Sequence, residues 1–340
     1  MATQVSYWPT LFDEARRLDG NGKLAAVAEI LNEQNDILDD IPFVEGNLPT
    51  GHKTTLRKSI PAPTWRLLNQ GVTPVKSVTD QITETCGMME NYSEIDKALA
   101  DLNGNTAEWR LSEDKAIIEG MNQSLAETLI YGDTSVSPEK FVGLAPRYYT
   151  LDTSENAAAA NVINAAGTDA VNTSIWLVGW STDTVHGIYP KGSKAGLSVE
   201  DLGEQTLYDV NGGRFQGYRT HYKWDVGLAV RDWRYVVRIA NIDTDKLKTT
   251  DDASDKSANI VKYMSTALDS VPNLNNARFV FYANNLVRSM MRVKLLSRSN
   301  VWLTMEGITN GMGITRPTLA FMGYPVRRID QILNTEAVIT

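Results

Sequence analysis

Apolar positions along the chain follow two periods, and the first is helical. Between Leu24 and Ile41 they recur every three to four residues beside acidic side chains, and Pro42 closes the run, which predicts an amphipathic helix. A second helical pattern covers Asn105–Tyr131. Its first residue has capping-box spacing to Glu108, and Gly132 follows as a stop signal. Roughly 26 residues at ~1.5 Å each predict a rod of about 39 Å.

Beyond Asp133 the period of the apolar positions changes to two, as in strands. Ser174–Trp180 and Val185–Tyr189 are predicted strands. The strictest alternation in the chain follows, from Tyr218 to Val230, and predicts one strand of about 43 Å at ~3.3 Å per residue. After a bend, Trp233–Ile239 continues the sheet.

The remaining predicted elements are short and mixed. We expect a short helix over Tyr92–Leu102 and a charged loop over Asp243–Lys256. The last third of the chain adds helices over Ser257–Leu268 and Asn285–Arg298, and strands over Arg278–Tyr282, Val301–Glu306, Thr318–Met322 and Val326–Ile329. Helices and strands are partly segregated, which predicts an α+β fold rather than a repeated βαβ unit.

One segment, Gly46–Thr79, lies before the long helix, and prolines break its strand-like runs, Thr54–Ile60, Trp65–Leu68 and Val72–Val78. It contains four prolines, no acidic residue and five basic ones: Lys53, Arg57, Lys58, Arg66 and Lys76. A segment this polar cannot bury a core of its own. We therefore predict that another subunit holds it, which points to an assembly protein.

Composition limits the class of protein. With 340 residues, 42% of them hydrophobic, the chain can bury one sizeable core or two smaller ones. No apolar run approaches the ~18 residues of a membrane span, and the first ten residues lack a signal-peptide pattern. A single cysteine, Cys86, excludes an internal disulfide framework and favours a reducing compartment. We expect synthesis in a cytoplasm and no membrane partner.

Charge is distributed in blocks of alternating sign. The net charge of −8 argues against a dedicated nucleic-acid binder. Residues 1–45 contain nine acids and three bases, 46–79 five bases and no acid, 80–108 seven acids and one base, and 271–340 eight bases and three acids. Such blocks suit neighbouring copies that meet through complementary patches. Independently solvated faces are the alternative.

Motifs for enzyme chemistry are missing from the sequence. The three histidines lie far apart and show no metal-ligand spacing, and there is no Walker loop and no G-x-S-x-G. Asp101–Asn105 resembles the start of a calcium loop, but Thr106 and Ser112 replace its glycine and glutamate, so helix capping explains it better. Cys86 is expected to be a buried structural thiol. We predict no catalytic residue, no cofactor and no metal.

A basic helix near the C-terminus allows two interpretations. Arg288 and Arg292 lie one helical turn apart, with Lys294 and Arg298 close by. This face would contact packaged nucleic acid through its phosphates, or form salt bridges with another subunit. We favour the salt bridges.

Three stretches together resemble one known family. They are Glu113–Gly143, with its Tyr131-Gly132-Asp133 and Phe141-Val142-Gly143-Leu144 motifs, Trp224–Asn241, and Gly323–Ala337, which begins Gly-Tyr-Pro-Val-Arg. Their order, spanning most of the chain from about Gly46, resembles the major capsid proteins of tailed double-stranded DNA bacteriophages. The resemblance is to the Hong Kong 97 type, and within it to the short-tailed phages.

The resemblance implies a division of the chain and a function. Residues 1–45 would be an N-terminal arm and 46–80 the E-loop. Residues 81–148 and 317–340 would form the peripheral domain, with its spine helix at 106–131, and 149–316 the axial domain, with a β-rich insertion around 157–250. Hexamers and pentamers would assemble into an icosahedral shell around the DNA, helped by scaffolding, portal and decoration proteins, so the chain would end up in the virion.

Some members of this family crosslink a lysine to an asparagine. Lys53 and Lys58 are candidates only by location, and without a residue-level match we predict no crosslink. Two other functions stay open at this point. One is a fibre-like or adhesin-like binding module with Trp176, Trp180 and Trp224 as carbohydrate platforms, although such proteins usually show repeats. The other is a hydrolase, which requires a pocket with converging carboxylates.

Overall fold

A computed structural model describes residues 33–101, 106–168, 171–209, 211–249, 259–297, 303–309 and 315–340. Its α-helices are α1 Ile37–Asp40, α2 Lys97–Ala100, α3 Thr106–Tyr131, α4 Thr244–Thr249, α5 Ile260–Ser270 and α6 Asn285–Ser297. Its strands are β1 Phe43–Glu45, β2 Gly51–Ser59, β3 Val78–Asp96, β4 Val162–Asn164, β5 Asn172–Trp180, β6 Val185–Tyr189, β7 Ser198–Tyr208, β8 Arg214–Val230, β9 Val236–Asp243, β10 Arg278–Ala283, β11 Leu303–Thr309, β12 Thr315–Phe321 and β13 Tyr324–Arg328.

The strands of the described residues join into one mixed sheet. Its main path runs β11-β12-β13-β10-β5-β6-β8-β3-β2, with β9 also pairing with β5 and β7 with β8. Most pairs are antiparallel, but β10–β13, β5–β6, β4–β9 and β1–β6 are parallel. The sheet is therefore continuous from the C-terminal strands to β2, at the opposite edge.

Two hydrophobic cores cover the two faces of the central strands. Trp176, Val178 and Trp180 of β5 point into one core, together with the second half of α3. Ile175 and Leu177 point into the other, which α5 and α6 cover. Because successive side chains of β5 enter opposite cores, all nine of its residues are buried, and Ile175–Val178 are all apolar.

The long helix predicted from the sequence is confirmed as α3, which has the 26 residues expected. It buries Trp109, Met121, Leu125 and Leu129 on one face. At its C-terminal end the Gly132 amide donates to the Thr128 carbonyl over 2.8 Å, and a Cβ on Gly132 would lie 2.4 Å from the Phe141 carbonyl oxygen. The glycine is therefore required by close backbone packing. The proposed cap at Asn105 lies outside the described residues.

Most predicted strands are confirmed, and β8 is longer than the alternation suggested, with 17 residues. The helices α5 and α6 and the strands β5, β6 and β10 also match. The helix predicted over Leu24–Ile41 lies outside the described residues except at its end, where α1 forms a single turn before Pro42.

The helix predicted over Tyr92–Leu102 is wrong in its first half. The chain remains in β3 as far as Asp96 and pairs antiparallel with β8 from Cys86 to Asp96. The Asp96 carboxylate then accepts from the Ala98 amide and begins the short α2. An eleven-residue ladder with β8 outweighs the weak local helix pattern, since propensity is overridden by tertiary pairing.

The loop predicted over Asp243–Lys256 contains a helix in its first half. The buried Asp243 carboxylate accepts from the amides of Asp245 and Lys246 and so caps α4. Residues 250–258 lie outside the described part of the chain. No helix in the described residues combines the length and apolar character needed to cross a membrane.

The C-terminal tail is held by a buried polar cluster, which we call the C-terminal latch: Arg238, Glu336, Tyr131 and Ser174. Arg238 donates to the Glu336 carboxylate over 2.9 Å and stacks over the Trp176 ring. Ser174 and Tyr131 donate their hydroxyls to the other carboxylate oxygen. Both charged side chains are nearly inaccessible, so the latch joins the tail to the end of α3 and to the central sheet.

Candidate subunit interface

The segment singled out by its charge forms a β-hairpin that extends from the sheet. β2 pairs antiparallel with the first part of β3, from Gly51–Thr85 to Ser59–Val78. Residues 60–77 connect the two strands and contain no regular strand or helix. Asn47 steadies the start of β2, because its side chain both donates to and accepts from the backbone of Lys53.

An ion pair fixes the root of this hairpin to the body. Both terminal nitrogens of Arg147 donate to the Glu84 carboxylate over 2.7 Å. Arg147 also donates to the carbonyls of Val142 and Gly143 in the turn after α3. Because the bidentate pair is partly buried, it holds β3 against this turn more firmly than an exposed pair would.

Two histidines that are far apart in sequence meet at this root. His52 of β2 and His186 of β6 lie edge to face, with ring centroids 5.8 Å apart. Burial, with smaller contributions from His52 and Arg231, lowers the pKa of His186 to about 4. Burial also lowers the pKa of His52. Both rings are therefore neutral near pH 7.

The third histidine and the cysteine lie on the β3–β8 ladder. His221 stacks on Tyr92 at 4.4 Å, and its Nε2 is 3.2 Å from a Glu90 carboxylate oxygen. It therefore makes polar and aromatic contacts across the β3–β8 ladder. Cys86 is half-buried, and burial raises the pKa of its thiol to about 11. Among the described residues, no three His, Cys, Asp or Glu side chains are placed to bind a metal ion.

The basic residues of the hairpin point into solvent. Lys53, Arg57, Arg66 and Lys76 are exposed, and no ion pair is recorded for these four described side chains. The side chain of Lys58 lies outside what the structure describes. These four side chains therefore present positive charge to solvent.

The tip of the hairpin also exposes large apolar side chains, which sequence reasoning missed. Trp65 is 101% exposed and Leu68 is 88% exposed. A tight turn presents them: the Gln70 amide donates to the Leu67 carbonyl, and Asn69 has φ of 66°. Ile60, Leu67, Val72 and Val75 are exposed as well. The signal that would have found them is Trp65-Arg66-Leu67-Leu68, four residues inside a segment otherwise predicted to be polar.

The predicted basic surface on α6 is only partly assembled. Arg292 is exposed, but Arg288 is half-buried beside Asp36 and Asp330, and burial lowers the pKa of its guanidinium. The Lys294 side chain and the whole of Arg298 lie outside the described residues. Arg288 therefore faces groups of its own chain at least in part.

A buried carboxylate at the end of the N-terminal segment was not foreseen. Asp40 of α1 accepts from Arg278 over 2.8 Å and from the Tyr282 hydroxyl over 2.8 Å, and Arg327 lies 3.1 Å away. Burial raises the pKa of Asp40, although these partners oppose the effect. The cluster joins α1 to β10 and β13.

The tryptophans proposed as carbohydrate platforms do not present their rings to solvent. Trp176 is fully buried, and Trp180 is buried with its indole nitrogen donating to the Tyr282 hydroxyl over 2.7 Å. Trp224 packs against the same core and is half-buried. The platform interpretation is wrong for Trp176 and Trp180, because both rings are part of the core.

A family model described as major capsid protein GP7 matches residues 19–340. The chain belongs to this family of major capsid proteins. It is 34% identical to a chain of the bacteriophage Epsilon15 structure, covering 100% of this chain and 99% of that one with a TM-score of 0.78. No curated protein sequence matches the chain.

A more distant structure supports the same fold. The capsid of bacteriophage JBD30 matches with a TM-score of 0.50 at 8% identity, covering 90% of this chain and 95% of that one. The GP7-family chain therefore has the Hong Kong 97-like capsid fold, as the resemblance implied. Its function is structural: it is a subunit of a phage capsid shell and assembles with itself.

Proposed function

We propose that this capsid protein assembles as hexamers and pentamers into an icosahedral shell around double-stranded DNA. In this proposal residues 46–80 are the E-loop, which lies over a neighbouring subunit, and the domain limits are those predicted from the sequence. The observation that carries the proposal is a long hairpin whose tip is exposed yet apolar. In an isolated chain this apolar surface would stay exposed to water. In a symmetric shell every subunit has a neighbour that can cover it.

Complementary charge orients the E-loop on the neighbouring subunit. The E-loop contributes five bases, Lys53, Arg57, Lys58, Arg66 and Lys76, and the chain contains thirteen acids and three bases between residues 80 and 139. Complementary patches speed encounter and fix register more than they add affinity. Many such contacts, each weak alone, become cooperative when symmetry closes the shell.

Other partners follow from the proposal. A scaffolding protein guides assembly, a portal occupies one vertex and a decoration protein binds the outer surface; synthesis and assembly take place in the host cytoplasm. The bases Arg288, Arg292, Lys294 and Arg298 form salt bridges with another subunit or contact the packaged DNA. The partial burial of Arg288 beside Asp36 and Asp330 favours a structural role for that residue.

Negative-stain electron microscopy of the high-speed pellet from cells that express the chain, with its neighbouring genes, tests the proposal. Closed shells or rings of five and six are expected. A soluble monomer or trimer under the same conditions would contradict it.

A charge-reversal pair tests the E-loop assignment. Arg57→Glu with Lys58→Glu is expected to reduce shell yield at least tenfold, while the unfolding midpoint of the monomer changes little. The matched control is Lys191→Glu with Lys194→Glu, two exposed lysines outside the hairpin. Normal shells from the Arg57 and Lys58 variant would refute the E-loop contact.

A further inference from the structure

An apolar groove lies on the surface between α3 and β3. Its cavity volume is about 170 Å³, and it is lined by Met88, Met89, Leu125, Phe141 and Val226, with Glu139 and Lys140 at the rim. Met88 is 71% exposed. Two methionines give the groove an adaptable surface, since their side chains rearrange around an incoming ring.

The tip of the E-loop has the complementary shape and chemistry. Trp65 is fully exposed, with Leu67 and Leu68 beside it on the same turn. An apolar cavity of about 150 Å³ is large enough to bind benzene, so a groove of this size accepts an aromatic ring. Tryptophan is also the side chain most often found to dominate binding energy at interfaces.

The chain's own tip does not occupy its own groove, since Trp65 is fully exposed. Val78 begins the second strand of the hairpin, and Gly87 lies at the groove. Nine residues of extended strand separate them by roughly 30 Å. The ladder between β2 and β3 keeps this stretch extended. With its own tip extended away from it, the groove is open to the tip of another copy.

We propose that Trp65 of one copy inserts into the groove between α3 and β3 of a second copy and anchors the E-loop there. This inference rests on the proposed shell function and specifies the receiving site. Arg66, next to the anchor, then lies near Glu139, whose carboxylate is exposed at the rim. Apolar burial supplies most of the affinity, and the E-loop bases orient the approach.

Substitutions at the tip distinguish the contribution of the Trp65 ring to assembly from that of the neighbouring charge on Arg66. Trp65→Ala is expected to raise the protein concentration needed for assembly at least tenfold, and Trp65→Phe to restore most of the loss. Arg66→Gln is the matched control and is expected to change that concentration less than threefold. Equal effects of Trp65→Ala and Arg66→Gln would overturn the anchor, as would normal assembly by Trp65→Ala.

A disulfide test locates the receiving site. In a Cys86→Ser background, chains with Arg66→Cys are co-assembled with chains carrying Glu139→Cys, and the particles are then oxidised. Covalent dimers on a non-reducing gel are expected. The control replaces the second chain by one with Val199→Cys, which is exposed on β7. Dimers with the control chain but not with Glu139→Cys would refute the groove.

The failures of the two proposals are distinguishable. If the unsubstituted chain forms no shells, the proposed function fails. If it forms shells and Trp65→Ala forms them equally well, only the anchor fails. Monomer unfolding by urea is measured for each variant, and we expect no change for Trp65→Ala because the side chain touches nothing within its own chain.

Discussion

In the centre of the sheet, β5 and β10 bury nearly every side chain against the rest of the chain, whereas the E-loop buries almost none beyond its root. The central strands contact two cores, and the neighbouring strand β9 contributes Arg238 to the buried ion pair with Glu336. The E-loop shares the same sheet but holds its bases and Trp65 in solvent. A single chain thus stabilises one region by itself, and in the proposed shell a neighbour covers the other.

The largest expected loss of stability follows a substitution in the C-terminal latch, beside the central strands. Glu336→Ala removes the counter-charge of Arg238, whose side chain is only 6% exposed. Because an uncompensated buried charge is costly, we expect a loss of about 3–5 kcal/mol in the free energy of unfolding, measured with urea. The matched control is Glu204→Ala, which breaks an exposed pair with Lys97 and costs about 1 kcal/mol or less. Similar losses for both variants would contradict the role of the latch.

A smaller effect is expected at the boundary between the regions. Glu84→Ala orphans Arg147 at the root of the E-loop and is expected to cost about 2–3 kcal/mol. Hydrogen exchange should show faster exchange in β2 while the β3–β8 ladder stays protected. Loss of protection throughout both ladders would show that the E-loop root does not unfold separately.

A fall in pH is expected to lower the stability of the same boundary through protonation of His186. His186 has a pKa of about 4 in the fold against 6.5 when unfolded, so the unfolded chain binds the extra proton first. Stability from this group is full above about pH 6.5 and is lost as the pH falls towards 4. The groups that act on the His186 ring are His52, Arg231 and Asp183, together with a backbone hydrogen bond with Ser181.

We expect a loss of about 1–2 kcal/mol between pH 7 and pH 5 that disappears in His186→Gln. Urea unfolding at each pH measures it, and subtracting the variant's profile removes the contribution of other titrating groups. Identical pH profiles for both chains would exclude His186 as the source.

The smallest effect is expected at the tip. Leu68→Ser exchanges a side chain that is 88% exposed, so the free energy of unfolding of the monomer should change by less than about 0.5 kcal/mol. Thermal or urea unfolding of the unassembled chain measures it. A destabilisation above 1 kcal/mol would show that the tip packs against its own chain.

How far the fold is predictable from sequence depends on how local its causes are. The strands β5 and β8 and the helix α3 were predicted correctly because the apolar pattern that indicates each of them lies within one continuous stretch of sequence. The strand β7 was missed because it is rich in acids and mostly exposed, so its alternation carries no apolar signal. The first half of Tyr92–Leu102 was assigned to a helix because its pairing partner, β8, lies more than 120 residues away.

The candidate interface shows the same limit. The charge of the E-loop is visible in the sequence, and so is its dependence on a partner. Contacts such as Arg238 with Glu336, or His52 with His186, join residues that no local pattern connects. The sequence also did not predict that Trp65 is exposed, because a tryptophan in a strand-like run is ordinarily expected to be buried.

The continuity of β3 has a mechanical consequence. One strand of 19 residues runs from the end of the E-loop tip into the ladder with β8, without a flexible joint between them. At ~3.3 Å per residue it is a lever of roughly 60 Å. In the proposed shell, a displacement of the tip by a neighbouring subunit would be passed along β3 to its ladder with β8.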